Sequence, residues 1–359
     1  MQINEIIIYI MVLFMIIGAI DKCFGNRYGY GEKFDEGIMA MGPLALAMIG
    51  IISLSPIIAQ VLKPIISPIY TSIGADPAMF ATTILANDMG GYSLAMELAV
   101  NPQIGKFAGL ILGAMMGPTI VFTIPYALGI IEKKDREFLA KGVLAGVTVI
   151  PIGAFVSGIL AGLSVNTVLI NLFPIIVVGA LLSIGLWKIP DAMTKGFTIF
   201  GKGVITIITV GLAISIFQYL TKFIIIPGMV PLEESVSIVG SIAVTLAGAF
   251  PLVLFITKVF AKPLSKLGEI LGMNESGVTG MVASLANTIP MFGTIKDMDN
   301  KGKIFNIAFA VNAGFVFGDN LGFTAGIDSS MIFPMIVGKL TGGICAVLLA
   351  KTLFKNVRN

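Results

Sequence analysis

Acidic and amide side chains occur in three places in a chain that is otherwise almost continuously apolar. Asn87 and Asp88 stand before a pair of glycines, and Asn287 and Thr288 stand before an Ile-Pro pair. Asp319-Asn320 interrupts a long apolar run and has glycine on both sides. A carboxylate accepts hydrogen bonds from an ammonium group, and an amide can hold a hydroxyl. Because a charge at membrane depth is costly, these residues are candidates for a binding site.

Other polar and aromatic residues near these three places extend the candidate site. Aromatic faces can hold a cation, although simple packing is an alternative for the aromatic residues. Further alternatives are an interfacial position for Glu97, a helix-capping role for Asp88 and a helix–helix hydrogen bond for Asn312. The sequence also places Lys339 within the last apolar run, where it either neutralises an acid such as Asp319 or extends to the interface. The predicted substrate-binding residues are Asn87, Asp88, Tyr92, Glu97, Asn287, Thr288, Phe292, Asn312, Asp319 and Asn320.

The composition predicts an all-α polytopic transmembrane protein. Of the 359 residues 56% are hydrophobic and 12% are charged, with a mean hydropathy of +0.98. A soluble domain carries about 25% charged residues. The chain has no histidine, which removes the commonest proton shuttle and metal ligand. We therefore expect no enzyme activity, no cofactor, no bound metal and no nucleic-acid partner.

The hydropathy pattern predicts about 9–11 membrane segments. Two stretches, 70–100 and 270–298, are apolar but broken by glycine, proline and polar residues. We interpret them as re-entrant hairpins, with full spans as the alternative. The nine continuous runs are each near the roughly 20 residues that cross a bilayer, and they are 3–20, 37–60, 104–131, 139–163, 167–187, 199–225, 236–258, 303–326 and 330–352.

The distribution of basic residues predicts the orientation. With the N-terminus outside and both hairpins returning to their own side, 19 of the 23 lysines and arginines fall in cytoplasmic loops. This excess agrees with the positive-inside rule. The C-terminus is then cytoplasmic.

Similar strings recur about 200 residues apart, which predicts an internal duplication. In the predicted topology the two copies are inverted, and inverted repeats with broken helices are typical of secondary transporters. The alternative is that such pairs only mark helix ends. The predicted organisation is a first repeat at 1–163, a linker helix at 164–195 and a second repeat at 196–359. The matches are Lys63-Pro64 with Lys262-Pro263, Leu85–Asn87 with Leu285–Asn287, Gly105-Lys106 with Gly302-Lys303, and Met116–Phe122 with Phe317–Phe323.

Several long strings resemble one family from end to end. They include NDMGGYSLAMELA (87–99), GLILGAMMGPTIVFTIP (109–125), LANTIPMFGTIKDMD (285–299), GDNLGF (318–323) and MIFPMIVGKLTGG (331–343). The chain resembles the ethanolamine permeases of bacterial ethanolamine-utilisation operons. The resemblance implies import of ethanolamine across the bacterial cytoplasmic membrane.

The sequence therefore predicts a secondary carrier for a small protonated amino alcohol, with Asp88 and Asp319 supplying negative charge. The alternatives are a passive facilitator for small amines and an ion-coupled carrier for another small polar solute. A membrane enzyme or receptor is disfavoured by the lack of histidine and of a soluble domain. The coupling ion, Na+ or H+, is left open. Small-residue runs such as GAMMG also permit a homo-oligomer.

Overall fold

The computed structural model describes residues 3–355 and 357, apart from the side chains at 190, 191, 194 and 260–270. One half of a predicted repeat match, Lys262-Pro263, lies outside those described side chains. Every regular element in the described residues is a helix. In chain order the helices are α1 (Ile3–Cys23), α2 (Tyr30–Met39), α3 (Met41–Ser72), α4 (Ala78–Ile84), α5 (Gly91–Leu98), α6 (Pro102–Ile130), α7 (Arg136–Leu160), α8 (Val165–Lys188), α9 (Pro190–Thr221), α10 (Leu232–Leu271), α11 (Glu275–Ala286), α12 (Thr288–Gly293), α13 (Asn300–Ala313), α14 (Asp319–Ile327) and α15 (Ile332–Leu353).

Eight helical segments in the described part of the chain are long and apolar enough to cross a membrane. They are α1, α2 together with α3, α6, α7, α8, α9, α10 and α15. Of the most apolar 18-residue stretch of α6, 89% is buried inside the protein, whereas only 17% of the corresponding stretch of α1 is buried. Helix α6 therefore lies at the centre of the molecule, while α1 lies at its periphery. The prediction of an all-α polytopic membrane protein is confirmed.

The first broken stretch is a hairpin, and we call residues 76–101 hairpin one. Helices α4 and α5 are its two arms. At its base, the Asp76 carboxylate accepts hydrogen bonds from the backbone N–H groups of Val100 at 3.1 Å and Asn101 at 2.8 Å. An eight-residue arm is only about 12 Å long, less than half the roughly 30 Å hydrocarbon core. The segment thus returns to the end from which it started, as a re-entrant hairpin does.

The second broken stretch has the same form, and we call residues 274–299 hairpin two. Its arms are α11 and α12. At its base, the backbone N–H of Asn274 donates to the Asp299 carboxylate at 3.1 Å, and the Asn274 side chain donates to the carbonyl of Asp297 at 2.8 Å. The re-entrant interpretation, rather than two full spans, describes both stretches.

The predicted continuous span at 303–326 is wrong in one respect. Helix α13 ends at Ala313 and α14 begins at Asp319, with turns between them. The break is built from hydrogen bonds to hairpin two, because the backbone N–H groups of Phe315 and Phe317 donate to the carbonyls of Ser284 and Leu285, both at 2.9 Å. Asn312 and Asp319 therefore lie on different helices and not on one helical face. The predicted span at 37–60 also differs, since α3 continues to Ser72.

Two buried or partly buried ion pairs fix how these elements run relative to one another. Lys106, near the start of α6, pairs with Asp328, just after α14, at 2.7 Å. Lys303, near the start of α13, pairs with Asp135, beyond the end of α6, also at 2.7 Å. Helix α6 starts at the base of hairpin one, and α13 starts at the base of hairpin two. The two hairpin bases therefore lie at opposite ends of α6.

Candidate functional site

Helix α6 is also broken, because its middle changes from π-helical turns at Phe107–Ile111 to a 3₁₀ turn at Leu112–Ala114 and back to π-helical turns at Thr119–Thr123. A cavity of about 150 Å³ lies where the two hairpin tips meet this irregular part of α6 and the break between α13 and α14. A protein cavity of about this volume can hold a molecule as large as benzene. The tips and the breaks contribute both its polar and its apolar wall. Its lining residues are Ala86, Asp88, Met89, Pro118, Phe122, Asn287, Ile289, Phe315, Asp319 and Asn320.

Each hairpin tip is held by an asparagine that bonds to the backbone just after it. The Asn87 side-chain oxygen accepts from the Asp88 N–H at 3.0 Å, and that of Asn287 accepts from the Ile289 N–H at 2.8 Å. In hairpin two this is a helix N-cap, which satisfies one of the free N–H groups at the start of α12. Local sequence therefore ends one arm and starts the next at both tips.

Glycines let the broken helices approach the tips at backbone distance. A Cβ on Gly117 would lie 1.9 Å from the carbonyl oxygen of Leu85, and a Cβ on Gly318 would lie 2.0 Å from that of Ala286. Real side chains cannot occupy such positions without a backbone shift. Gly113 makes a similar approach to Asn87, where a Cβ would meet the asparagine at 3.1 Å. The glycine spacing in α6 thus places its middle turn directly against the tip of hairpin one.

Two polar atoms beside the cavity are buried without a hydrogen-bond partner among the described residues. They are the amide nitrogen of Asn87 and the hydroxyl oxygen of Thr288, one at each hairpin tip. Buried polar groups are nearly always hydrogen-bonded, so unpaired ones call for an explanation. Neither residue is among those that line the cavity, so the two unpaired groups lie in the hairpin tips behind its wall.

The cavity is acidic. Asp88 and Asp319 both line it, and they are close enough for their charges to interact. No lysine or arginine is among its lining residues in the described part of the chain. Two carboxylates that share one small space favour a cation between them.

Phe122 and Phe315 are the aromatic part of the cavity's apolar wall, and the sequence predicted neither of them. Phe122 stacks on Tyr126 with ring centroids 5.3 Å apart and meets Phe315 edge to face at 5.8 Å. Tyr126 continues the cluster to Phe292 at 6.1 Å. Phe122 and Tyr126 are 34 and 38 residues from Asp88 in the sequence, so proximity along the chain gave no signal. Their four-residue spacing, which places both rings on one face of α6, is the signal that was available.

The structure brings four predicted site residues to the cavity: Asp88, Asn287, Asp319 and Asn320. Asn87 and Thr288 lie immediately beside it at the tips. Asn320 also donates to the carbonyl of Gly314 at 3.3 Å across the break between α13 and α14. This bond ties the start of α14 to the end of α13.

The other four predicted residues lie elsewhere. Tyr92 packs edge to face on Phe323 at 6.0 Å, outside the cavity lining. Glu97 is exposed near the end of α5. Phe292 reaches the aromatic cluster only through Tyr126, and Asn312 donates to the Gly146 carbonyl of α7 at 2.9 Å.

Lys339 neither extends to the interface nor pairs with an acid among the described residues. Its side chain is 1% exposed, and its ammonium group donates to the carbonyl of Ala114, beside the irregular turns of α6. Both interpretations from the sequence are therefore corrected. The lysine instead satisfies a carbonyl that the irregular α6 backbone leaves free.

At one end of the molecule, Asp328 lies between α14 and α15. Burial works to raise its pKa, but hydrogen bonds from Lys106 and Ser330 and the charge of Lys106 hold the pKa of this carboxyl below its ordinary value. The Asp328 carboxylate is therefore ionised at neutral pH and keeps its partnership with Lys106.

These features define a class: a polytopic helical membrane protein with two re-entrant hairpins, two interrupted helices and an acidic cavity where they meet. The family is equally clear, because residues 3–353 match the model of the family described as ethanolamine utilisation protein EutH. The chain belongs to that family. No solved structure matches it.

Curated relatives cover nearly the whole chain. It is 63% identical over 347 residues to a protein of Listeria monocytogenes named probable ethanolamine permease EutH, covering 97% of this chain and 93% of the relative. A protein of Escherichia coli with the same name is 47% identical, covering 98% and 96%. An uncharacterised protein of Bacillus subtilis, YxeR, is 49% identical, covering 98% and 95%. The two permease names point to a transporter rather than an enzyme.

Proposed function

We propose that this protein imports ethanolamine across the bacterial cytoplasmic membrane as a secondary transporter. The observation that carries the proposal is the acidic cavity at the meeting point of two hairpin tips and two broken helices. The names of the relatives support the same substrate. A primary amine with a pKa near that of lysine is protonated at neutral pH and needs a protein to cross lipid.

The cavity offers a partner for each end of ethanolamine. The ammonium group lies between Asp88 and Asp319, where its positive charge relieves the repulsion between the carboxylates. The aromatic faces of Phe122 and Phe315 complete the cation site. The hydroxyl group lies toward the amides of Asn287 and Asn320. Since a cavity of about this volume can hold benzene, a molecule of two carbons, one nitrogen and one oxygen fits without expansion.

We further propose that two inverted repeats, 1–163 and 196–359, alternate the access to this cavity, with 164–195 as the linker. Equivalent contacts support the duplication. Gly117 abuts the tip of hairpin one as Gly318 abuts the tip of hairpin two. Lys106 and Lys303, which match in the predicted repeat, each pair with an aspartate of the other half. Inverted repeats of this kind transport by moving one unit against the other around a central site.

The proposed orientation has the N-terminus outside and the C-terminus in the cytoplasm. Lys106 and Asp328 then lie together at the outer end, while Lys303 and Asp135 lie together at the inner end. Each ion pair thus joins residues that the charge distribution assigns to the same side.

Uptake of radiolabelled ethanolamine into proteoliposomes tests the proposal. We expect saturable uptake with counterflow, and loss of at least about 100-fold in Asp88→Asn and Asp319→Asn, because each removes one charge from a desolvated cation site. Glu97→Gln is the matched control, since it removes an exposed carboxylate outside the cavity. Normal transport by both aspartate variants would refute the site.

The same vesicles separate this function from its alternatives. A passive facilitator gives uptake that stays linear with concentration and shows no counterflow. A carrier for another solute gives strong competition by choline, serine or uridine and weak competition by ethanolamine. Imposed sodium or proton gradients identify the coupling ion.

A further inference from the structure

A larger groove, which shares no lining residue with the acidic cavity, lies where α7 begins and where α8 and α15 end. Its volume is about 710 Å³. The first turns of α7 and the last turns of α8 and α15 enclose it. The lining residues are Arg136, Glu137, Ala140, Lys141, Leu144, Leu186, Trp187, Leu353 and Phe354.

The part of this groove that lies between the bodies of the helices is apolar, and the part at the helix ends is basic. Leu144 and Leu186 lie within the spans α7 and α8, where lipid tails surround the protein. Arg136 is exposed at the rim and has no ion-pair partner among the described residues. Lys141 pairs with Glu137 at 2.5 Å and lies 5.7 Å from the centre of the Phe354 ring.

The charge around the groove is positive beyond the lining itself. Lys188 follows Trp187 directly, and Lys351 and Lys355 flank Leu353 and Phe354; all three lysines are exposed. Trp187 is the only tryptophan in the chain and is 76% exposed. Tryptophan at a helix end prefers the headgroup level of a bilayer. From the middle of the helices outward, the groove therefore presents an apolar surface suited to acyl chains, an aromatic ring suited to the headgroup level and a basic rim suited to the phosphate. The parts of a phospholipid follow the same order.

We propose that this groove binds an anionic phospholipid. The acyl chains lie along Leu144 and Leu186, and the phosphate lies at the rim. There the Arg136 guanidinium can hold two phosphate oxygens at once, and Lys141 adds a point charge. Basic pockets between helices on the cytoplasmic side are suited to acidic headgroups. The inference does not depend on the transported substrate.

The single tryptophan makes the test direct. The full-length protein is reconstituted in phosphatidylcholine vesicles that contain increasing fractions of brominated phosphatidylglycerol or, in parallel, brominated phosphatidylcholine. Bromine quenches indole fluorescence on contact. We expect half-maximal quenching of Trp187 at a mole fraction roughly tenfold lower for the anionic lipid, because each basic residue near the headgroup adds to its affinity.

The variant Arg136→Gln with Lys141→Gln should abolish that preference while quenching by phosphatidylcholine stays unchanged. The matched control is Lys195→Gln with Lys202→Gln, which removes two exposed charges outside the groove and should keep the preference. Equal quenching of the unmodified protein by both lipids would overturn the proposal without recourse to any variant. A preference that survives in the Arg136 and Lys141 variant would overturn it as well.

Discussion

Phe122 is the side chain that joins the aromatic cluster to the acidic cavity. Its ring lines the cavity and contacts both Tyr126 and Phe315. A cation held against such a desolvated ring gains about 1–2 kcal/mol, which corresponds to about 5- to 30-fold in affinity. We expect Phe122→Leu to raise the KM for ethanolamine by that factor in the uptake assay.

A conservative replacement distinguishes the ring from its volume. Phe122→Tyr retains an aromatic face and should restore the KM to within about threefold of the unmodified protein. An unchanged KM in Phe122→Leu would show that the ring only packs.

Asp328 provides a prediction about pH, because its pKa is held below the ordinary aspartate value. A carboxyl whose folded pKa is depressed stabilises the fold above its unfolded pKa and loses that contribution as pH falls through the folded value. The Lys106–Asp328 pair is partly exposed, so its contribution is at most about 1 kcal/mol.

The measurement is the unfolding midpoint in detergent between pH 3 and pH 7. Lys106→Met should lower the midpoint at pH 6. The difference from the unmodified protein should shrink once the pH falls below the ordinary aspartate pKa of about 4, and it should vanish only below the lowered pKa of Asp328 in the folded protein. Lys63→Met is the control, since Lys63 is an exposed lysine of α3 without an ion-pair partner among the described residues. A difference that is constant across this pH range would contradict the assignment.

The hairpins depend on close contact between their tips and the interrupted helices. A methyl group on Gly117 or Gly318 would collide with a backbone carbonyl of the adjoining tip, which cannot move aside as a flexible side chain can. Overpacking of this kind typically costs about 1–3 kcal/mol. We expect Gly117→Ala and Gly318→Ala each to lower the unfolding midpoint by several degrees and to reduce uptake.

Gly129→Ala is the control in the same helix as Gly117. A Cβ at Gly129 meets no atom within 4 Å, so this replacement should leave both the midpoint and the uptake unchanged. Equal effects at Gly117 and Gly129 would mean that helix propensity, and not the contact with the tip, sets the outcome.

Much of the architecture was predictable from sequence because the bilayer allows few solutions for apolar segments. Length and hydropathy located the spans, and the breaker-rich stretches located both hairpins. The break between α13 and α14 was harder to predict. Its apolar residues continue the pattern of a span, and the hydrogen bonds that interrupt the helix come from Ser284 and Leu285 in another element. Periodicity within one segment contains no information about such partners.

The candidate site was predictable in its polar half only. A carboxylate in an apolar chain is conspicuous, so Asp88 and Asp319 could be selected by type alone. Phe122 and Phe315 are ordinary among 24 phenylalanines, and only the packing of α6 against the breaks brings them to the cavity. Lys339 was conspicuous too, but its partner is a backbone carbonyl, which no residue type reveals.

The two ion pairs give the entire protein a reciprocal arrangement. Each links the start of a broken helix in one proposed repeat to an aspartate beyond the end of the broken helix of the other. One pair lies beside the base of hairpin one and the other beside the base of hairpin two. If the cavity opens alternately to the two sides, these are the contacts at which each end must separate.

This arrangement can be tested with a short bifunctional reagent that joins two cysteines through disulfide bonds, which reduction cleaves. The test starts from a protein in which Cys23→Ser and Cys345→Ala remove the two free cysteines. One variant carries Lys106→Cys with Asp328→Cys, and a second carries Asp135→Cys with Lys303→Cys. Alternating access requires both ends to open in turn, so we expect a cross-link at either end to abolish ethanolamine uptake and reduction to restore it. Ser164→Cys with Thr167→Cys is the control, because both residues lie in one exposed turn at the start of α8 and their cross-link constrains no movement between elements. Undiminished uptake with either end cross-linked would show that the two halves do not separate there during transport.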